Sequence, residues 1–209
     1  MNFVQYDFST QNFTDFLSDI VQTVGATSAS SEASADHQSD SIPIIEADER
    51  LIGISDSTYL QINAALQSGK RHIIFYGPPG TGKTTIAEYI AGVLGLDGDY
   101  EQLTASSSWT SQELIGGYQP VGDGKIGFVP GAILRNFDKP IIIDELNRCP
   151  IDRAFGPLFS ILSNQSATLP YRLCVEDEES PFHVIWPEAK NDRQAHEWFP
   201  QHRWRLIAT

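Results

Sequence analysis

A glycine-rich segment in the first half of the chain has the residue types and the spacing that bind phosphate. Gly77-Pro78-Pro79-Gly80-Thr81-Gly82-Lys83-Thr84 fits the pattern G-x-x-x-x-G-K-[ST]. Glycines let the backbone curl so closely that its N–H groups surround a polyphosphate, and the N-terminus of a following helix adds its dipole. In such a loop Lys83 reaches the β- and γ-phosphates, and the Thr84 hydroxyl ligates Mg²⁺.

The predicted nucleotide-binding residues are Gly77, Pro78, Pro79, Gly80, Thr81, Gly82, Lys83, Thr84 and Thr85. The alternative is a surface turn that is merely rich in glycine and proline. A phosphate loop is favoured because an apolar run, 72–76, precedes the segment and an amphipathic pattern follows it. That strand–loop–helix context is the one in which the pattern binds phosphate.

Two adjacent carboxylates follow a second apolar run. The segment Pro140-Ile141-Ile142-Ile143-Asp144-Glu145 places Asp144 at the end of a predicted buried strand. Asp144 can hold Mg²⁺ through water, opposite Thr84, while Glu145 orients and deprotonates the attacking water. The alternative is a carboxylate that only caps the next helix. We predict Glu145 and Lys83 as catalytic residues, and Thr84 and Asp144 as the metal site.

These motifs must be positioned by strands and helices that alternate along the chain. The patterns predict helices over 56–68 and 151–162, and strands over 72–76, 100–104, 141–143 and 206–208. A further helix is predicted after the glycine-rich turn, with an apolar face from Ile86 to Leu94 and an end at Gly95. The patterns also predict a capping box from Thr110 to Glu113 and a hairpin over 120–128 around Gly122-Asp123-Gly124. Such alternation indicates an α/β fold with a mostly parallel sheet covered on both faces.

The N-terminal residues have a different composition. Apolar residues recur with helical spacing between Phe13 and Val24, which predicts an amphipathic N-terminal helix within residues 1–24. The segment 25–41 is rich in Ser and Ala and has no large apolar side chain, so it is predicted to be a flexible linker. The globular domain is expected over residues 42–209.

Charge and composition exclude several classes of function. The chain has 14 Lys+Arg against 27 Asp+Glu, so its net charge is −13 and no basic cluster stands out. Direct nucleic-acid binding is therefore not expected. The sequence has no membrane-spanning run and no secretory signal, and its two cysteines do not make a disulfide framework. We expect a cytoplasmic protein without membrane contact.

At the level of motifs the chain resembles the AAA+ ATPases. The resemblance rests on GPPGTGKTT, on IIIDELNR and on a closing RLIAT, and it covers about residues 45–209. The run Asp144-Glu145-Leu146-Asn147-Arg148 resembles the dynein-related branch, which includes the MoxR chaperones and the McrB GTPase subunit of methylcytosine-specific restriction systems. The segments 114–118 and 128–132 resemble those between the two nucleotide motifs there.

The resemblance implies a P-loop NTPase fold, a three-layer sandwich around the central sheet. It implies Mg²⁺-dependent ATP binding and hydrolysis in a ring, usually a hexamer, that remodels a protein client. Ile52-Gly53-Ile54 would lie against the base, and Arg148 would have a structural or intersubunit role. The hairpin around Gly122-Asp123-Gly124 would touch the client or line a pore.

The chain also departs from the family pattern, because it stops at Thr209 before the sensor, the arginine finger and the helical lid. The expected fold is therefore a core truncated before the lid, with little activity alone. One alternative is a GTP-hydrolysing, McrB-like restriction subunit. Another is a nucleotide-binding module without turnover. A small-molecule kinase is a further alternative, which the acidic pair and the lack of an Arg-rich lid disfavour.

Overall fold

A computed structural model describes residues 3–7, 42–188 and 192–209 of the chain. Its centre is a five-stranded sheet in the order β1-β2-β10-β6-β3, in which every neighbouring pair is parallel. These strands are β1 (Phe3–Asp7), β2 (His72–Tyr76), β3 (Glu101–Thr104), β6 (Pro140–Asp144) and β10 (Arg205–Ala208). The α/β fold with a parallel central sheet is thereby confirmed.

Helices cover both faces of this sheet. They are α1 (Asp56–Gln67), α2 (Lys83–Leu94), α3 (Ser111–Leu114), α4 (Ala132–Arg135) and α5 (Ile151–Leu162), with 3-10 turns at Leu96–Gly98 and Leu146–Arg148. One hydrophobic core lies between the sheet and α1 and α2, and a second core lies between the sheet and α3, α4 and α5. The molecule therefore has the three layers that were predicted.

The strand β6 shows how the apolar run builds both cores. Side chains alternate across a strand, so Ile142 packs into the core under α1 and α2, while Ile141 and Ile143 pack into the other. Each of these isoleucines is at most 1% exposed. Burying such a side chain contributes about 1.5–3 kcal/mol, which explains why a continuous apolar run is needed in a strand covered on both faces.

Two smaller sheets flank the central one. The strands β4 (Gly116–Gly122) and β5 (Lys125–Pro130) form an antiparallel hairpin, as predicted from the glycines at its tip. The strands β7 (Ala167–Arg172), β8 (Phe182–Ile185) and β9 (Glu197–Trp198) form a three-stranded sheet that the sequence patterns did not predict. The run of acidic residues 176–179 lies in the exposed loop between β7 and β8.

The segment 1–24, for which an amphipathic helix was predicted, contains a strand that was not predicted. Phe3–Asp7 pairs in parallel with β2, so these five residues are not part of a helix. Parallel pairing beside a buried strand is a tertiary interaction, which local helical spacing cannot reveal. The periodic residues Phe13 to Val24 and the predicted linker 25–41 lie outside the described residues. Of the helices in the described ranges, none is long and apolar enough to cross a membrane.

Candidate functional site

The glycine-rich loop connects the end of β2 to the start of α2. Gly77, Gly80 and Gly82 have φ values of 145°, 79° and 82°, in the region that residues with side chains rarely adopt. These conformations turn the chain around a concave backbone path and place Gly82 as the residue before α2. No side chain caps this helix N-terminus, so the N–H groups of its first turn can bind an anion.

The side chain of Lys83 lies over the same loop. Its Nζ donates to the carbonyl oxygens of Gly77 at 3.1 Å and Pro78 at 2.7 Å. The Thr81 hydroxyl also donates to the carbonyl of Pro78, at 3.0 Å. These neutral carbonyl contacts keep the ammonium at the mouth of the loop, where a phosphate oxygen would be a stronger, charged acceptor.

The second motif meets the loop at the carboxyl ends of the strands. The Thr84 hydroxyl donates to Asp144 Oδ1 at 3.1 Å, although the two residues are 60 positions apart. The backbone N–H of Glu145 donates to the same oxygen at 3.1 Å. The predicted metal pair, Thr84 and Asp144, is therefore brought together.

Glu145 lies directly after β6 in a left-handed conformation, with φ of 56°. Its side chain is 46% exposed and is therefore accessible to water. Its Oε2 forms an ion pair with Nε of Arg148 at 3.3 Å. The geometry thus places a carboxylate and a guanidinium next to Asp144 on one short turn.

The donor set fits a magnesium ion. Mg²⁺ prefers oxygen ligands and usually takes one or two protein ligands together with phosphates and waters. Thr84 and Asp144 supply a hydroxyl and a carboxylate, and among the described residues no hydrogen bond reaches Asp144 Oδ2. A group of three or more His, Cys, Asp or Glu side chains able to hold a metal does not occur in the described ranges. A cation held jointly with phosphate is therefore the arrangement that these residues suit.

Thr209 is a site residue that the sequence reasoning missed. Its hydroxyl donates to Asp144 Oδ1, and it follows β10, which lies between β2 and β6 in the sheet. In the sequence Thr209 is only the last residue of the motif RLIAT. The strand order would have revealed its position, because the residue after β10 must lie between the glycine-rich loop and the acidic pair.

The segment 52–54, which the resemblance places against the base, lies beside the loop at Ile54. A Cβ built on Gly82 would stand 4.0 Å from Cδ1 of Ile54. Ile52 is 94% exposed, so its aliphatic surface has no protein cover among the described residues. Apolar side chains are therefore present on this side of the loop.

Two buried polar side chains, His72 and Arg205, lie at the opposite, amino ends of the strands. Burial, together with the charges of Arg205 and Arg71, lowers the pKa of His72 to about 3. Burial also lowers the pKa of Arg205 to about 10, with a smaller contribution from Arg71. Neither His72 nor Arg205 contacts the loop or the acidic pair through the hydrogen bonds described for them. These groups therefore belong to the core and not to the site.

Known proteins share parts of this chain. A family model of the AAA domain, dynein-related subfamily, matches residues 72–208. Over 46 residues the chain is 44% identical to the Holliday junction branch migration complex subunit RuvB of Thermomicrobium roseum, a stretch that is 21% of this chain and 13% of that protein. A solved structure of a candidate ATPase from Cytophaga hutchinsonii aligns with a TM-score of 0.37 and 15% identity, covering 66% of this chain and 33% of that one. The matched part of this chain covers only 13% of the RuvB subunit and 33% of the solved structure. The similarity to the solved structure is too weak to indicate an activity.

Proposed function

Since the chain belongs to the dynein-related subfamily of AAA domains, we propose that it binds ATP with Mg²⁺ and hydrolyses the γ-phosphate. The observation that carries this proposal is the hydrogen bond between Thr84 and Asp144. It joins the glycine-rich loop to the acidic pair, so the residues for phosphate, metal and water meet at one edge of the sheet. This hydrogen bond is not expected if the glycine-rich segment is only a surface turn.

Each residue has a separate chemical task. The loop N–H groups and the N-terminus of α2 hold the phosphate oxygens, and Lys83 neutralises charge on the β- and γ-phosphates. Thr84 and Asp144 would hold Mg²⁺, which supplies charge neutralisation between those phosphates when it is bound. Glu145 accepts a proton from the attacking water, and its exposure leaves room for that water.

The same residues would also bind GTP, because no described contact distinguishes the two bases. ATP is proposed because the chain belongs to the AAA domain family, and the resemblance to the AAA+ ATPases implies ATP as the substrate. Direct competition between the two nucleotides checks this choice. A preference for GTP would leave the proposed hydrolytic chemistry unchanged and would show that guanine, and not adenine, is the nucleobase that is bound.

The proposal includes remodelling of a protein client through the hairpin β4–β5. Val121 and Ile126 are 55% and 56% exposed near its tip, so two apolar side chains are accessible to a partner. The hairpin itself is anchored, because β4 packs against α3. Replacing both by Ser should leave hydrolysis unchanged and reduce its stimulation by an unfolded polypeptide such as casein. Stimulation equal to that of the parental chain would contradict this role.

The test of the main proposal separates binding from turnover. Lys83→Ala should abolish Mg²⁺–ATP binding in calorimetry, because the ammonium faces the phosphates and not a core. Glu145→Gln should bind ATP like the parental chain and lose hydrolysis, because only the proton acceptor changes.

Lys139→Ala is the matched control, since it removes a lysine that pairs with Asp99, outside the loop. It should bind and hydrolyse ATP normally. Unchanged binding in Lys83→Ala would refute the phosphate loop, and parental turnover in Glu145→Gln would refute Glu145 as the base.

A further inference from the structure

One oxygen of Asp144 receives three hydrogen bonds. The donors to Oδ1 are the hydroxyl of Thr84, the hydroxyl of Thr209 and the backbone N–H of Glu145. An ionised carboxylate only accepts, so both hydroxyl protons must point at this oxygen. The orientation of the carboxylate is therefore set by two side chains and one amide.

The backbone of Thr209 is held on both sides. Its N–H donates to the carbonyl of Ile143 at 3.0 Å, and its own carbonyl accepts from the N–H of Leu146 at 2.9 Å. Its Oγ1 also lies 3.4 Å from the N–H of Glu145. The backbone bonds tie Thr209 to the end of β6 and to the turn that follows it, which places its hydroxyl beside Asp144 and the N–H of Glu145.

This arrangement has a consequence for Thr84. Because the hydroxyl proton of Thr84 points at Asp144, the lone pairs of its oxygen face away from the carboxylate. Asp144 Oδ2 receives no hydrogen bond from the described residues. Two oxygens are thus left for a cation and its waters, provided that the carboxylate keeps its orientation. Thr84 holds it from the side of the loop and Thr209 from the side of β10.

We propose that Thr209 is a positioning residue that orients Asp144, and so sets the affinity of the site for the divalent cation of a bound nucleotide. This inference rests on the proposed function. Thr209 itself touches neither cation nor nucleotide; it acts through the carboxylate. Groups that orient a metal ligand in this way are typically worth roughly 10–100-fold in metal affinity.

The test measures cation binding directly. Thr209→Val keeps the branched shape and removes the hydroxyl, Thr209→Ala removes both, and Thr209→Ser keeps the hydroxyl. Mn²⁺ is titrated into the full chain with saturating ADP, and the free ion is followed by electron paramagnetic resonance. Val and Ala should weaken Mn²⁺ binding about tenfold or more, whereas Ser should stay near the parental value.

Nucleotide affinity in EDTA provides the second readout. All three variants should bind ADP as the parental chain does, because the loop and Lys83 are unaltered. In hydrolysis assays, the Val and Ala variants should need a higher Mg²⁺ concentration to reach half of their maximal rate. At high Mg²⁺ they should recover most of the parental rate. Thermal unfolding of each variant shows whether its fold is intact, and Ala gives a second readout if Val does not fold.

The outcomes are distinct. Parental Mn²⁺ affinity in the Val or Ala variant would overturn the inference, and so would a Ser variant as weak as the Val variant, since packing would then matter and not the hydroxyl. A parental chain that binds no nucleotide would overturn the proposed function itself. Normal nucleotide binding with unaltered Mn²⁺ affinity in the variants would overturn only the role of Thr209.

Discussion

At the scale of single residues, the two ends of the central sheet hold different polar groups. The carboxyl ends carry Asp144 and Glu145, which are partly accessible, and the amino ends carry His72 and Arg205, which are 4% exposed each. Arg205 Nη1 donates to the carbonyls of His202 and Trp204, and its buried Nε has no partner among the described residues. The polar groups at the amino ends are therefore part of the core, whereas those at the carboxyl ends belong to the proposed nucleotide site.

The pKa of His72 leads to a prediction about stability. Its Nδ1 accepts from the N–H of Leu206 at 3.1 Å, and burial lowers its pKa from 6.5 to about 3. Between these values the unfolded chain binds a proton that the folded chain does not. The free energy of unfolding should therefore fall as the pH drops from 6.5 towards 3, by up to about 1.4 kcal/mol per pH unit from this group.

Urea denaturation at several pH values between 5 and 7.5 measures this dependence. His72→Asn is the matched variant, because an amide oxygen can accept from the N–H of Leu206 and does not titrate. The slope with pH should be smaller in the variant. Equal slopes in the two proteins would show that His72 binds a proton in the folded state.

At the scale of elements, the position of the hairpin β4–β5 relative to α3 depends on a close contact between two stretches of backbone. A Cβ on Gly131 would lie 2.5 Å from the carbonyl carbon of Leu114, and the N–H of Gly131 donates to the carbonyl of Ile115 at 2.7 Å. The φ of Gly131 is −78°, so its conformation is open to any residue and only the contact requires glycine. The base of the hairpin is therefore held by packing of backbone on backbone.

Two glycine-to-alanine changes should consequently have opposite signs. Gly131→Ala forces backbone apart and should lower the free energy of unfolding by about 1–3 kcal/mol. Gly92 lies inside α2, is partly exposed and has no atom within 4 Å of a built Cβ, so Gly92→Ala should raise the free energy of unfolding by about 0.5–1 kcal/mol. Chemical denaturation measures both. A neutral Gly131→Ala would mean that the hairpin can shift without cost.

The elements also show what the sequence could predict. The strands β2 and β6 and the helix α5 were predicted within a residue of their bounds, because apolar runs and helical spacing are local signals. The box formed by Thr110 and Glu113 was confirmed for the same reason. The short helix α4 and the sheet β7-β8-β9 were not predicted, since their stability comes from partners distant in sequence.

In the candidate site, too, the residues in contiguous motifs could be predicted and the residue placed by the strand order could not. The glycine-rich loop and the acidic pair are contiguous motifs, and the structure brings Thr84 and Asp144 together as expected. The role of Thr209 depends on the position of β10 between β2 and β6, which is a property of strand order. A residue whose function comes from topology has no local pattern by which it could be recognised.

At the scale of the whole molecule, charge opposes self-association. The chain carries a net charge of −13, so copies repel one another at low ionic strength. Lys83 and Arg148 bring positive charge to the site, and Arg148 is already paired with Glu145. We propose that neighbouring copies nevertheless associate and complete one another's sites; in other phosphate-loop enzymes an arginine contributed by a partner is worth about 10³–10⁵ in rate.

If neighbouring copies complete one another's sites, hydrolysis must respond to the composition of a mixture. Glu145→Gln chains should still bind ATP and occupy places in an assembly, but they cannot activate water. Mixed with parental chains at a fixed total concentration, they should reduce the rate more steeply than their fraction, because a stalled neighbour affects an intact site. Moderate salt should strengthen the effect, since screening weakens the repulsion between acidic copies.

Parental protein diluted with buffer alone is the control, and it separates simple loss of association from inhibition by the variant. A rate that falls in strict proportion to the parental fraction, at every salt concentration, would show that each chain hydrolyses ATP independently of its neighbours.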